Sequence, residues 1–132
     1  MNIPEFLKTI YLGDRGCKSI LFDGYNHEVK IQIDCISRVR DKTWNFYTKE
    51  DLNDGFIVFE HVRSILIKSN GVIPNGYVND ITTELIKENQ YLITFYIEAV
   101  SFDGIRDEAE IEIIASDVSL EDNLKRGFRI RD

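Results

Sequence analysis

Val29 to Arg40, VKIQIDCISRVR, decides the fold. Val29, Ile31, Ile33, Cys35, Ser37 and Val39 alternate with Lys30, Gln32, Asp34, Ile36, Arg38 and Arg40, a period of two broken at Ile36. Successive Cβ atoms of a strand point to opposite sides, so this pattern describes a half-buried β-strand with one apolar and one charged face. At ~3.3 Å per residue it would span about 40 Å, so a bend or bulge is expected near Ile36. The rest of the chain reads as cover for the apolar face.

Working outward, Lys18–Asp23 and Val29–Arg40 form a hairpin closed near Tyr25-Asn26. That pairing places Cys17 roughly opposite Cys35, a geometry in which a cross-strand disulfide is conceivable. Two reduced thiols are the expected state in a cytosolic chain. Upstream, Asn2-Ile3-Pro4-Glu5 has the marks of a helix start, with Asn as N-cap, Pro in the first turn and Glu in the capping-box position. Ile3, Phe6, Leu7 and Ile10 follow at helical spacing, and Gly13 supplies a stop.

Downstream, Thr43–Tyr47 is aromatic and suits a short strand, and Asn53-Asp54-Gly55 reads as a turn. Phe56–Lys68 is a strand kinked around Arg63-Ser64, where the alternation resets. Asn79–Gln90 is ambiguous: Ile81, Leu85 and Ile86 suit a short helix, but Thr82 and Thr83 are poor helix formers. Tyr91–Phe102 is apolar on both faces, which predicts a central strand covered on both sides. Asp103-Gly104 is a hairpin turn. Glu108–Ala115 then alternates cleanly, with Ala109, Ile111, Ile113 and Ala115 inward and Glu108, Glu110 and Glu112 outward. Ser119–Asp122 suits a capped turn. Lys125–Arg131 is basic with alternating apolar residues, and suits a last edge strand whose arginines lie beside the acidic strand.

The fold class that follows is mainly β (α+β). The sequence predicts one domain, residues 1–132, as an antiparallel β-sandwich or open barrel of six to eight strands with one short N-terminal helix. Long strands separated by turns, with no βαβ rhythm, exclude a doubly wound sheet. No apolar run approaches the ~20 residues that span a bilayer. The first residues lack the basic and apolar regions of a signal peptide, so a cytoplasmic location is expected.

The formal net charge is −7. Residues 98–122 hold nine acids and one base, Arg106, so the rest of the chain is nearly neutral. This distribution opposes binding to nucleic acid, which needs clustered Lys and Arg. It suits either a solvated acidic face or a surface that steers a basic partner. His27 and His61 have no HExxH, HxH or CxxC spacing around them, so no metal site or cofactor motif is visible. Aligning Gly55 to a calcium loop puts Leu52 and His61 where oxygen ligands belong, and the loop fails. A nucleophile assembled from Cys17 or Cys35 and a distant histidine stays open. Acid–base work by Glu108, Glu110 and Glu112 would need one carboxyl in an apolar pocket, whereas all three are expected to face solvent. They therefore read as a partner-binding surface. Trp44 and Phe46, with Tyr47 and next to Arg38 and Arg40, form an aromatic–basic cluster of the kind enriched at binding hot spots.

LGDRGCKSILFDGYNHEVKIQIDCISRVR, followed by Trp44-Asn45-Phe46-Tyr47 and Asp54–Glu60, resembles a group of small uncharacterised bacterial proteins. Their opening hairpin is similar to that of small immunity proteins of polymorphic toxin systems. The resemblance covers about the first half of the chain and carries no catalytic motif. It implies a bacterial, cytoplasmic, non-enzymatic, mostly β domain that binds and neutralises a toxin, and the acidic 98–122 segment would suit a basic toxin as the protein partner. The alternative is a small-molecule-binding β-barrel, or an enzyme whose site is assembled from distant residues. The oligomeric state is not readable from the sequence.

Overall fold

The computed structural model describes residues 1–40 and 49–132. The aromatic strand expected over 43–47, with Trp44 and Phe46, lies outside the described residues. Among the described residues, ten strands follow one short helix: α1 (Ile3–Leu7), β1 (Ile10–Tyr11), β2 (Cys17–Asp23), β3 (Glu28–Arg38), β4 (Leu52–Glu60), β5 (Ser64–Lys68), β6 (Val78–Lys87), β7 (Gln90–Val100), β8 (Arg106–Ala115), β9 (Asp117–Glu121) and β10 (Arg129–Ile130). Eight of them are five residues or longer, and β1 and β10 are two-residue additions. They form two antiparallel sheets. A six-stranded sheet has the order β1-β3-β4-β9-β10, with β2 also paired to β3, and a four-stranded sheet has the order β5-β8-β7-β6. The sheets do not close into a barrel, so the sandwich is the form adopted.

The organising strand is β3. Its register with β4 runs unbroken from Val29↔Phe59 to Ile36↔Leu52, while its other edge is shared by β2 and then β1. The expected irregularity near Ile36 is a change of inward face: Ile33 and Ile36 are both fully buried in the core. The matching event in β4 is at Asp54, whose φ is 54°, a left-handed conformation that Asp tolerates better than most residues. Asn53-Asp54-Gly55 is therefore not a turn but the interior of β4. Gly55 is required there, because a Cβ would lie 2.7 Å from the Cβ of Leu52 and 3.3 Å from Ile36 Cδ1.

Between the sheets, Ile31, Ile33, Ile57, Phe59 and Leu120 face Ile93, Phe95, Ile97, Ile111 and Ile113, all with no exposed surface. Phe59 and Phe95 meet edge to face across the gap, with centroids 5.8 Å apart. Each such side chain contributes about 1.5–3 kcal/mol on burial. The core cluster is completed by Ile3 and Phe6 of α1. Asn2 caps α1 by accepting from the Glu5 N–H at 2.9 Å, as the capping residues imply. The helix ends at Leu7, well short of Gly13, because Ile10 and Tyr11 are taken up by the edge of β3.

Other expectations are corrected by pairing. Phe56–Lys68 is two strands in different sheets, and His61–Arg63 is the crossover between them. The ambiguous 79–90 stretch is strand β6, paired along β7. β7 is central in its sheet, but its two faces differ: Ile93, Phe95 and Ile97 are fully buried in the core, while on the other face Thr94 is buried and Leu92, Tyr96 and Val100 are half-buried. A register shift between Cys17 and Ser19 sets Cys17 opposite Ile33, not Cys35. Both cysteines are free, and burial pushes the Cys17 thiol up to about 11. The Asp103-Gly104 turn is as expected, with Gly104 at φ 85° between β7 and β8.

Candidate functional site

β8 lies between β5 and β7, and its inward side chains Ala109, Ile111, Ile113 and Ala115 are fully buried. Strand alternation then forces Glu108, Glu110 and Glu112 onto the outer face. The register adds neighbours to that face: Glu98 opposite Glu108, Tyr96 and Lys68 opposite Glu110, and Thr94 and Leu66 opposite Glu112. From β6, Asp80 stands opposite Tyr96 and Glu84 opposite Leu92. Carboxylates thus converge on one outer face, which no other described element covers, from β6, β7 and β8, with Lys68 and Arg106 among them and Tyr96 near the middle.

These acids are held only lightly. Lys68 Nζ is 2.6 Å from Glu112 Oε1, and this contact raises the Lys68 ammonium above its ordinary range. Asn79 donates to Glu108 at 2.9 Å, and Arg106 pairs with Glu98. The sequence-predicted trio is therefore brought together as a surface on the outer face of the four-stranded sheet. The other two predicted residues, Trp44 and Phe46, lie outside the described residues. Their neighbouring arginines are engaged internally: Arg38 is buried, lies 5.6 Å from the Phe6 ring and donates to the Asp132 carbonyl at 2.8 Å. Arg40 grips Glu50 through two hydrogen bonds of 2.6 and 3.0 Å.

The opposite outer face, on the six-stranded sheet, carries a second charged network that local sequence pattern does not reveal as a site. Glu121, assigned by sequence to the solvated acidic segment, belongs to β9, which replaces the capped turn expected at 119–122. It has no exposed surface. Lys30 of β3 donates to both of its oxygens at 3.2 Å, while Arg126 and Arg129 lie 3.0 and 3.1 Å away. Burial pushes the Glu121 carboxyl up, but the Lys30 hydrogen bond and charge, the Gly127 N–H and Arg129 outweigh it and hold the group below its usual range. Arg129 also donates to Glu28 at 3.1 and 3.4 Å, and Arg131 to Glu60 at 2.6 and 3.0 Å. Glu60 is likewise pushed up by burial and pulled further down by Arg131. The basic segment thus lies beside β9 and not, as its composition suggests, beside acidic β8. The one sequence signal for this network was the spacing of Arg129 and Arg131, two residues apart and so on one strand face.

A third feature lies where the sandwich is open. Ile20 and Phe22 of β2 and Ile65 and Ile67 of β5 are paired to inward-facing residues, yet Phe22 and Ile67 are exposed. Two adjoining hollows of about 190 and 360 Å³ share Phe22 and run between these edge strands. His61, a candidate partner for a nucleophile, sits at the crossover on the surface, with Nδ1 2.7 Å from Asp117. Among the described residues there is no group of three or more His, Cys, Asp or Glu able to hold a metal, and no helix is long and apolar enough to cross a membrane.

Residues 1–132 match a family described as a family of unknown function, DUF6258, and the chain belongs to that family. Comparison with curated proteins and with solved structures gives no match.

Proposed function

We propose that this DUF6258 member is a non-enzymatic protein-interaction domain that docks a basic protein on the outer face of its four-stranded sheet. The observation that carries this reading is the uncovered row of Glu108, Glu110 and Glu112, reinforced by Glu98, Asp80 and Glu84 from the neighbouring strands. Side chains two apart on a strand are ~7 Å from one another, so the row repels itself unless cations offset it, and Lys68 and Arg106 are too few to do so. A partner bearing Lys and Arg would relieve that repulsion and be steered to the surface. Tyr96 and Leu66 supply apolar contact within the same face. The resemblance of the opening hairpin to immunity proteins gives the specific version of the reading, in which the partner is a toxin.

Parallel affinity capture tests it, using the wild-type chain and the triple variant Glu108→Lys/Glu110→Lys/Glu112→Lys at low and high salt, with mass-spectrometric readout. A stoichiometric basic protein retained by the wild type, released by salt and lost by the folded triple variant is the expected result. A partner that the folded triple variant retains undiminished refutes the acidic-face mechanism. The apolar hollows between β2 and β5 favour a second reading, a small-molecule binder, which native mass spectrometry would reveal as added mass on the purified chain.

A further inference from the structure

We infer that the outer face of the six-stranded sheet is a second docking site, built for an extended segment bearing arginines, and that residues 126–131 occupy it as a built-in competitor. It extends the reading that the partner is basic, but uses the face opposite the Glu108–Glu112 row.

The floor of the site is Phe56 and Val58 of β4 and Lys30 of β3, all buried. Its polar groups are three carboxylates from three strands: Glu28, Glu60 and Glu121. Every one is engaged by an arginine of the 126–131 segment. Arg129 and Arg131, one strand repeat apart, reach Glu28 and Glu60, while Arg126 lies over the Phe56 ring with its guanidinium 4.6 Å from the centroid. Bidentate carboxylate pairing and stacking on an aromatic face are arginine chemistry that lysine does not reproduce.

The occupant is held by these charges more than by burial. Its strand, β10, pairs with β9 over two residues only. Leu124 and Phe128 are exposed, and Ile130 is the one apolar side chain of the segment that packs on the core cluster. With the segment away, three carboxylates would face Lys30 as their one cation among the described residues, a strongly anionic slot beside an unpaired stretch of β9. A partner presenting arginines two residues apart on an extended chain would replace Arg129 and Arg131 contact for contact, adding a strand to the sheet. Because the resident segment must leave first, its removal raises the apparent affinity for such a partner.

The test uses a fluorescent synthetic peptide of sequence KRGFRIRD, matching residues 125–132, and a control peptide with its three arginines replaced by glutamate. Binding is measured by polarisation to the wild-type chain and to the double variant Arg129→Ala/Arg131→Ala. The expected result is that the arginine peptide binds the double variant about tenfold more tightly than the wild type, weakens with salt and raises the variant's Tm, while the glutamate peptide does neither. Equal affinity for both proteins, or no binding to a double variant that is folded by circular dichroism, overturns the inference. If the double variant does not fold, amide hydrogen exchange of the wild type decides. Residues 128–131 exchanging well ahead of β4 and β9, and faster in high salt, supports a displaceable segment. Exchange of all three only together, by global unfolding, overturns it. Neither outcome depends on Glu108, Glu110 or Glu112, so a failure here is separable from failure of the acidic-face reading.

Discussion

The two outer faces of this sandwich draw on the same acidic quarter of the chain and use it in opposite ways. On the four-stranded sheet, Glu110 and Glu112 stand partly exposed among cross-strand neighbours that are mostly neutral, with Lys68 paired opposite Glu110. On the six-stranded sheet, Glu121 has no exposed surface and is surrounded by Lys30, Arg126 and Arg129. The difference lies in cover. Nothing in the described chain lies over the first face, so water screens its charges and repulsion there is tolerable. The second face is roofed by its own basic segment, and a carboxylate out of water must have partners. Excess charge in a sequence window therefore says little about its energetic role until the strands carrying it are assigned to sheets.

The largest contrast should come from Glu121→Gln. It removes the fully buried carboxylate that Lys30, Arg126 and Arg129 share, and should cost about 3 kcal/mol by denaturant unfolding. A cost near zero would mean that the network is no more than a surface cluster. The pH profile comes next. Glu60 and Glu121 sit lower in the folded chain than their unfolded values of about 4.3. Their contribution is thus complete above that pH and is lost as the pH falls through the folded values. Stability should drop steeply below about pH 4 in the wild type and less steeply in Glu121→Gln, which has one such group fewer. Parallel slopes would show that the acid transition is set elsewhere. The smallest effect belongs to the open face, where Lys68→Ala should leave the unfolding midpoint essentially unchanged, since the Lys68 side chain is solvent-exposed. A loss matching that of Glu121→Gln would erase the distinction between the faces.

Much of the scaffold was legible because alternation is a local signal. The inward set Ala109, Ile111, Ile113 and Ala115 was read directly, and so was the Asn2 cap. The misreadings have a common source in partners remote in sequence. Ile10 and Tyr11 continue a helical spacing, but the edge of β3 captured them. Asn53-Asp54-Gly55 has turn composition, yet β3 on one side holds it in β4, where Asp54 takes the positive φ and Gly55 the close approach. The site residues divide in the same way. Glu108, Glu110 and Glu112 were placed correctly on an outward face by their period. Glu121 was not, because its partner Lys30 lies 91 residues away.

By itself, then, the sequence determined the β class, the short capped helix, the inward face of the long strands and the concentration of negative charge. Those depend on side-chain periodicity and on composition, which every short window carries. Which strands pair, where the chain crosses between sheets and which carboxylates are withdrawn from water were decided only by tertiary structure. Each of those depends on contacts between residues tens of positions apart, whose geometry exists only once both sheets have formed and packed.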